Sequence, residues 1–322
     1  MRNAFADELL KIALEDPKVV MLSGDIGNRL FDEFKAKAPD RFFNCGVAEA
    51  NLIGVAAGLA MDGFRPVAYT IVPFITARCL EQIRVDLCYH NLPVTVVGVG
   101  GGLSYASLGG THHACEDLAM LRCLPEMNVY APADAMEVRG CLRSALSHDA
   151  PAYVRIGKKR EPVFHESIPA CKPGGSVQLK EGADAVLLAC GNILPVVMDA
   201  ADALAKRGVH AAVHSAYGVK PLDTALLQTV FAKTSVVATI EEHTLVGGFG
   251  SAVAEWLVDR TAEGFAPAAR LLRLGTGDRY LHEAGSQAYA RTQYGLTPTA
   301  IADRVTEALR LAEKPATDPV VA

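Results

Sequence analysis

Val94-Thr-Val-Val-Gly-Val99 runs straight into Gly100-Gly101-Gly102, and this arrangement, an apolar run ending in a Gly-bearing loop, recurs along the chain. Lys18-Val-Val-Met-Leu-Ser23 precedes Gly24-Asp25-Ile26-Gly27-Asn28, and Arg41-Phe-Phe-Asn44 precedes Gly46 and a helix from Ala48. Residues 65–72 read as a further strand feeding a helix over 76–90, and residues 3–16 repeat apolar positions at helical spacing. Strands that end in Gly-rich loops and feed helices build a parallel sheet covered by helices. In such a sheet, ligands are expected outside the carboxyl ends of the strands.

Residues 161–183, with Pro162, Pro169, Pro173 and Gly174-Gly175, carry no periodicity and read as a linker. After it the pattern restarts, with strands over 185–190, 211–213 and 235–240, a helix over 193–207 and another from Gly248. The expected organisation is therefore α/β, with two parallel or mixed-sheet domains at 1–160 and 184–314 and a frayed tail at 315–322. Half of the 322 residues are hydrophobic, which suffices for two cores of ordinary domain size.

The net charge of −5 is spread over interspersed charges, so neither a nucleic acid nor an acidic-tail function is expected. No apolar run approaches the roughly 18 residues of a membrane span, and the amphipathic start lacks the apolar core of a secretory signal. The eight cysteines (45, 79, 88, 115, 123, 141, 171 and 190) form no CxxC pair and read as small core residues in a reducing, cytoplasmic setting.

Gly46-Val47-Ala48-Glu49 and the run Ala50 to Ala60 put one carboxylate at the head of an otherwise apolar, small-residue helix. Locally, Glu49 is an ordinary first-turn charge, favourable at the positive end of the helix dipole. Its wider context adds a second reading. Gly24-Asp25-Ile26-Gly27, Gly46-Val-Ala-Glu49, Gly109-Gly-Thr-His-His113, Pro132-Ala-Asp134 and Glu241-Glu-His-Thr-Leu-Val-Gly-Gly-Phe-Gly250 follow one another in that order. Together they resemble the C-terminal half of transketolase, a pyrimidine-binding domain followed by the family's C-terminal domain.

The resemblance implies a thiamine diphosphate enzyme in which Glu49 bonds the aminopyrimidine nitrogen N1′. That contact shifts the ring toward its imino form, whose exocyclic nitrogen then takes the thiazolium C2 proton. Phe74 would stack on the aminopyrimidine, although by itself it equally reads as a core Phe at a strand-to-helix turn. Ile71 and Ala77 stand where the family's pyrimidine pocket carries aromatics. Asp25 would lie near the cofactor, or serve only as a turn Asp bonding its own backbone.

His112 is implied to bind a substrate hydroxyl and help move protons, with His113 behind it. Read alone, the pair could also hold a metal or cap the next helix. In Tyr153-Val-Arg-Ile-Gly-Lys-Lys-Arg160, Lys158 and Arg155 are the candidates to hold the substrate's phosphate or terminal group, where a bland reading is a solvated surface. Arg78 either reaches the active-site mouth or sits on an exposed helix. Glu241-Glu242-His243 and Gly247–Gly250 are implied to open a helix of the second domain in a structural role.

Two departures bear on substrate choice. Leu108 replaces a sugar-binding aspartate of the family, and a further histidine is replaced within Gly100-Gly101-Gly102. Ser104, Tyr105 and Ser107 could supply substitute hydroxyls. The Gly-Asp-Gly and Asn-Asn signature of the diphosphate-binding domain is missing; Gly24-Asp25-Ile26 and Gly277-Asp278-Arg279 do not provide it. The chain therefore resembles the small subunit of a split transketolase. An N-terminal partner subunit would bind Mg2+ and share the thiamine diphosphate, in an α2β2 assembly holding a homodimer of this chain. The implied activity is transfer of a two-carbon ketol unit between a ketose, expected to be phosphorylated, and an aldose. The alternatives are a deoxyxylulose phosphate synthase-like subunit, a 2-oxoacid dehydrogenase beta-like subunit, or a non-catalytic binding module.

Overall fold

The computed structural model describes residues 1–158 and 161–313. The expected frayed tail at 315–322, and Lys159 and Arg160, lie outside the described residues.

Among the described residues, twelve strands form two sheets. They are β1 (Val19–Ser23), β2 (Phe42–Asn44), β3 (Arg65–Ile71), β4 (Thr95–Val99), β5 (Asn128–Tyr130), β6 (Ala152–Ile156), β7 (Val177–Lys180), β8 (Ala185–Cys190), β9 (Ala211–Ser215), β10 (Gly218–Lys220), β11 (Val236–Thr244) and β12 (Arg270–Thr276). The first sheet has the order β10-β5-β6-β4-β3-β1-β2, and the second β12-β11-β8-β9-β7. Pairing is parallel apart from β10 on β5 and β7 on β9. Every residue of β1, β4, β6 and β8 is buried, as continuous apolar runs require in sheets covered on both faces.

Helices Arg2–Glu15 and Ala135–Ser147 pack on one face of the first sheet, around Phe5, Leu9, Tyr69 and Leu142. Helix Glu49–Met61 covers the other face through Leu52, Ile53 and Ala56. That second core runs without a break into Leu188, Phe231 and Phe249 of the C-terminal portion.

Three expectations are corrected. Residues 177–180 are not featureless linker, because β7 pairs antiparallel with β9 at the edge of the second sheet. The helix expected over 76–90 begins at Val72 and is broken into short turns. Pro73 suits a helix start, and the Thr76 hydroxyl donates to the Val72 carbonyl at 2.7 Å, closing the first turn early. Glu241, Glu242 and His243 do not open a helix: they finish β11, and the helix begins at Phe249. The strand β10, from the C-terminal portion, pairs Gly218 with Tyr130 and Lys220 with Val129, so the two portions share a sheet.

Parallel pairing places the carboxyl ends of β1, β2, β3, β4 and β6 along one edge. The segments leaving that edge contain Asp25, Glu49, Phe74, Arg78, His112 and Lys158.

Candidate active site

Glu49 is 2% exposed and begins the helix Glu49–Met61. Gly46, three residues earlier, has φ +68°, a left-handed turn that glycine adopts without steric penalty. The Glu49 Oε2 accepts a hydrogen bond from Arg78 Nη1 at 2.7 Å. The same guanidinium lies over the Phe74 ring, with Cζ 4.6 Å from its centroid. Phe74 meets the His112 imidazole edge-on at 5.2 Å, and His112 meets Tyr105 at 6.1 Å. Lys158 Nζ then stands 4.4 Å from the Tyr105 ring centre. One unbroken line of contacts therefore runs from Glu49 through Arg78, Phe74, His112 and Tyr105 to Lys158, and cation–π attraction contributes at both cationic points.

The loop carrying His112 is clamped from beneath. Gly102 and Ala114 exchange backbone hydrogen bonds at 2.9 Å, folding residues 102–114 back on themselves. Gly102 has φ +62°, and a Cβ there would lie 2.5 Å from the Glu242 Cβ. Gly102 is thus a packing requirement set by how closely the C-terminal portion approaches, whereas a Cβ on Gly100 or Gly101 would collide with Tyr105 or Arg155 of the first unit. Glu242 Oε2 accepts the Leu103 N–H at 2.8 Å, while Arg291 and Gln287 bind the rest of that carboxylate.

Arg155, expected as a candidate for the substrate terminus, is 3% exposed and belongs to this clamp. Its Nη2 donates to the Ala114 and Glu242 carbonyls, both at 2.8 Å, and its Nε lies 3.0 Å from the Asp117 carboxylate. Burial on β6 turns this guanidinium inward, and it positions the loop from inside the protein. Tyr153 adds a hydrogen bond to the same Asp117 oxygen at 2.7 Å.

Lys158, beyond the end of β6, is half-buried beside Tyr105. Asp25 is exposed at the end of β1 with φ +56°, and accepts a hydrogen bond from the Asn44 amide at 2.8 Å. The Asn44 side-chain oxygen accepts the Gly46 N–H at 3.0 Å, tying Asp25 to the turn that launches Glu49. Ile71 is half-buried and packs against the core on the Arg2–Glu15 side. His113 is buried, and its Nε2 has no hydrogen-bond partner among the described residues. Burial, reinforced by His113, holds the His112 imidazole below its ordinary pKa. The Ser104 hydroxyl is engaged with the Gly101 carbonyl and the Asn192 amide, whereas Leu108 is 51% exposed at the mouth of the loop.

Sequence reasoning missed Asn44, Asp117 and the clamping role of Glu242. A polar residue at the strand end two positions before Gly46 was the available signal for Asn44. Nothing local announces the other two, since their partners lie 36 or more residues away. Among the described residues, no group of three or more His, Cys, Asp or Glu side chains is placed to hold a metal ion, and no helix is long and apolar enough to cross a membrane.

Comparison with known proteins places this arrangement. Residues 1–162 match the family model described as transketolase, pyrimidine binding domain, and residues 174–301 the one described as transketolase, C-terminal domain. The chain is 38% identical over 306 residues to 1-deoxy-D-xylulose-5-phosphate synthase 1 of Geobacter metallireducens, covering 94% of this chain and 48% of that protein. It thus spans about half the length of the synthase relatives it matches. It is 33% identical to the 6-deoxy-6-sulfo-D-fructose transketolase subunit SqwH of Clostridium sp., covering 95% of this chain and 94% of the relative. Among solved structures, a split gene transketolase described as an inactive beta4 tetramer superposes with a TM-score of 0.87 at 35% identity, over 97% of this chain and 99% of the other.

Proposed function

This chain belongs to the transketolase family, of which it carries the pyrimidine-binding and C-terminal domains, and on that premise we propose that it is the C-terminal subunit of a split, thiamine diphosphate-dependent transketolase. The reaction proposed moves a two-carbon ketol unit from a ketose with an anionic terminus to an aldose. The observation that carries this reading is the line of contacts joining Glu49, Phe74 and His112 at the carboxyl ends of neighbouring parallel strands.

The residues fit the pyrimidine end of the cofactor. A buried carboxylate at a helix head can bond a ring nitrogen, and an aromatic face four residues from the Arg that reaches it can stack on a heteroaromatic ring. When bound, thiamine diphosphate supplies a carbon nucleophile at C2 of its thiazolium. Glu49 is assigned to hold and share the proton at N1′, and Phe74 to orient the ring, with Ile71 as an apolar wall. Asp25, fixed by Asn44, lies at the neighbouring strand end and is assigned to the rim of the cofactor site. His112 is assigned to hydrogen-bond a substrate hydroxyl and accept its proton, with His113 behind it. Lys158 is assigned to the anionic terminus as a point charge.

The diphosphate and Mg2+ are assigned to an N-terminal partner subunit, in an assembly with two copies of each chain. Exposed apolar side chains just before the helix Glu49–Met61 and midway along it, Phe43 (41%), Val47 (75%) and Val55 (39%), support a subunit interface there. The SqwH relative, itself named a subunit, supports the same division.

A second reading is a synthase-like condensation on a 2-oxoacid donor, favoured by the 38% identity to the Geobacter protein. The donor separates the two, because a 2-oxoacid releases carbon dioxide and a ketose leaves an aldose. The test is calorimetric binding of thiamine diphosphate with Mg2+ to this chain alone and to its complex with a co-expressed diphosphate-domain subunit. Binding in the complex only, with ketol transfer abolished in Glu49→Gln, is the expected result. Tight binding by the chain alone would overturn the split-site reading, and no binding in the complex would overturn cofactor dependence.

A further inference from the structure

Arg78 makes, at one time, the two contacts that the proposed function assigns to the aminopyrimidine. Its Nη1 donates to Glu49 Oε2 at 2.7 Å, and its Cζ sits 4.6 Å above the Phe74 ring. A guanidinium is planar and carries N–H donors at its edge, so it satisfies a carboxylate and an aromatic face in the way a protonated aminopyrimidine would. Its head bridges Glu49 and Phe74, which is the space a ring stacked on Phe74 and bonded to Glu49 must take. From this geometry we infer that Arg78 is a built-in stand-in for the aminopyrimidine, occupying the pyrimidine site of the free subunit and swinging out when the cofactor enters.

Two features of the site support a movable group. Arg78 is itself half exposed, 49% against 2% for Glu49, so its head has solvent to move into while Glu49 does not. It also stands in a broken stretch between the turns Val72–Ile75 and Leu80–Gln82, where neighbouring helical hydrogen bonds do not fix it in a long helix. The stand-in also accounts for how a buried carboxylate is tolerated before assembly. An unpaired charge at 2% exposure is strongly unfavourable, and the guanidinium neutralises it until another cationic ring takes over. The cost falls on cofactor affinity, because only the fraction of molecules with Arg78 displaced can accept the ring.

This inference rests on the proposed cofactor role of Glu49 and Phe74, and its test separates the two. Thiamine diphosphate affinity is measured by calorimetry in the complex with the diphosphate-domain subunit, for wild type, Arg78→Gln and Arg78→Lys. Thermal unfolding of the free chain and of the cofactor-saturated complex is measured in parallel. The expected result is that Arg78→Gln binds thiamine diphosphate about five- to tenfold more tightly, and that Arg78→Lys, which keeps the charge but not the flat fork, falls between the two. The substitution should lower the melting temperature of the free chain by several degrees and leave that of the saturated complex unchanged. Weaker or unchanged affinity in Arg78→Gln, beside a wild type that binds normally, would overturn the stand-in and leave the proposed function intact. A wild-type complex that binds no thiamine diphosphate would overturn both.

Discussion

Glu242 Oε2 accepts the backbone N–H of Leu103 at 2.8 Å, so a carboxylate at the end of β11 fixes the loop that carries His112. Glu242 is fully buried, and Arg291 and Gln287 share its two oxygens. Breaking a buried pair from one side strands the remaining charge and costs roughly 3–5 kcal/mol. Glu242→Ala should therefore lower stability by an amount in that range in urea unfolding, and should reduce kcat/KM by releasing residues 102–114. Glu242→Gln, which keeps the acceptor for Leu103 but loses the charge facing Arg291, should fall between. Equal stability of Glu242→Ala and wild type would remove the clamp from the account.

The clamp also marks where sequence reading stops. The two α/β units, the buried strands and Glu49 at its helix head were legible, because each follows from an apolar run, a Gly-bearing loop or a helix start within a few residues. The Gly100-Gly101-Gly102 triplet was visible only as a substitution for a missing histidine. Glu242, 140 positions after Gly102, presses to within 2.5 Å of where a Gly102 Cβ would stand, and Tyr105 and Arg155 leave no room for one on Gly100 or Gly101. Arg155 failed for the same reason. It reads as a cation in a basic cluster, but β6 is covered on both faces and every residue on it is buried, so Arg155 meets Asp117 inside the protein while Lys158, beyond the strand, stays beside Tyr105. The strands β7 and β10 were hidden because pairing with a distant partner, and no pattern of their own, makes them strands.

His112 should work as a neutral imidazole. Burial, reinforced by His113, holds its pKa below the ordinary value of 6.5, so it is unprotonated at pH 7 and able to accept a proton. The acid limb of kcat/KM should then lie below pH 6.5 and disappear in His112→Gln, with a loss of about 100-fold or more. His113→Asn should move that limb upward without abolishing the depression, because burial, the larger cause, remains. A pH–rate profile of the three proteins checks this, and an acid limb that survives in His112→Gln would assign it to another group.

Lys158 stands at the far end of the contact line from Glu49, beside Tyr105 and half-buried. If it neutralises the substrate's terminus, Lys158→Gln should raise KM for a phosphorylated or sulfonated sugar by about tenfold to a hundredfold, the scale of one charge-assisted hydrogen bond. The kcat should change little, because the contact is made equally in the ground and transition states. An uncharged aldose acceptor should be unaffected. A KM increase of the same size for the charged sugar and for the uncharged aldose would mean that Lys158 shapes the loop through Tyr105 and does not read charge.

His165 ties the segment after the first unit to the cap of helix Ala135–Ser147. Its Nδ1 lies 2.8 Å from Asp134, and its Nε2 is 3.2 Å from Glu137. Asp134 is the helix N-cap, accepting the N–H groups of Met136 and Glu137 at 2.9 Å. Burial works against a charged His165, but Asp134 and Glu137 override it and raise its pKa from 6.5 to about 10. Burial likewise works against the Asp134 carboxylate, yet His165 and the backbone N–H groups of Glu137 and Phe164 bring it from 3.8 down to about 2. The raised histidine contributes stability that is complete below pH 6.5 and lost as pH climbs through about 10. The depressed aspartate contributes stability that is present above pH 3.8 and lost as pH falls through about 2. His165→Gln should therefore lower the melting temperature most between pH 4 and 6.5, and its deficit against wild type should shrink steadily from pH 6.5 to 10. A deficit that stays constant over that interval would show that His165 contributes by packing alone, with no charged contact to Asp134 or Glu137.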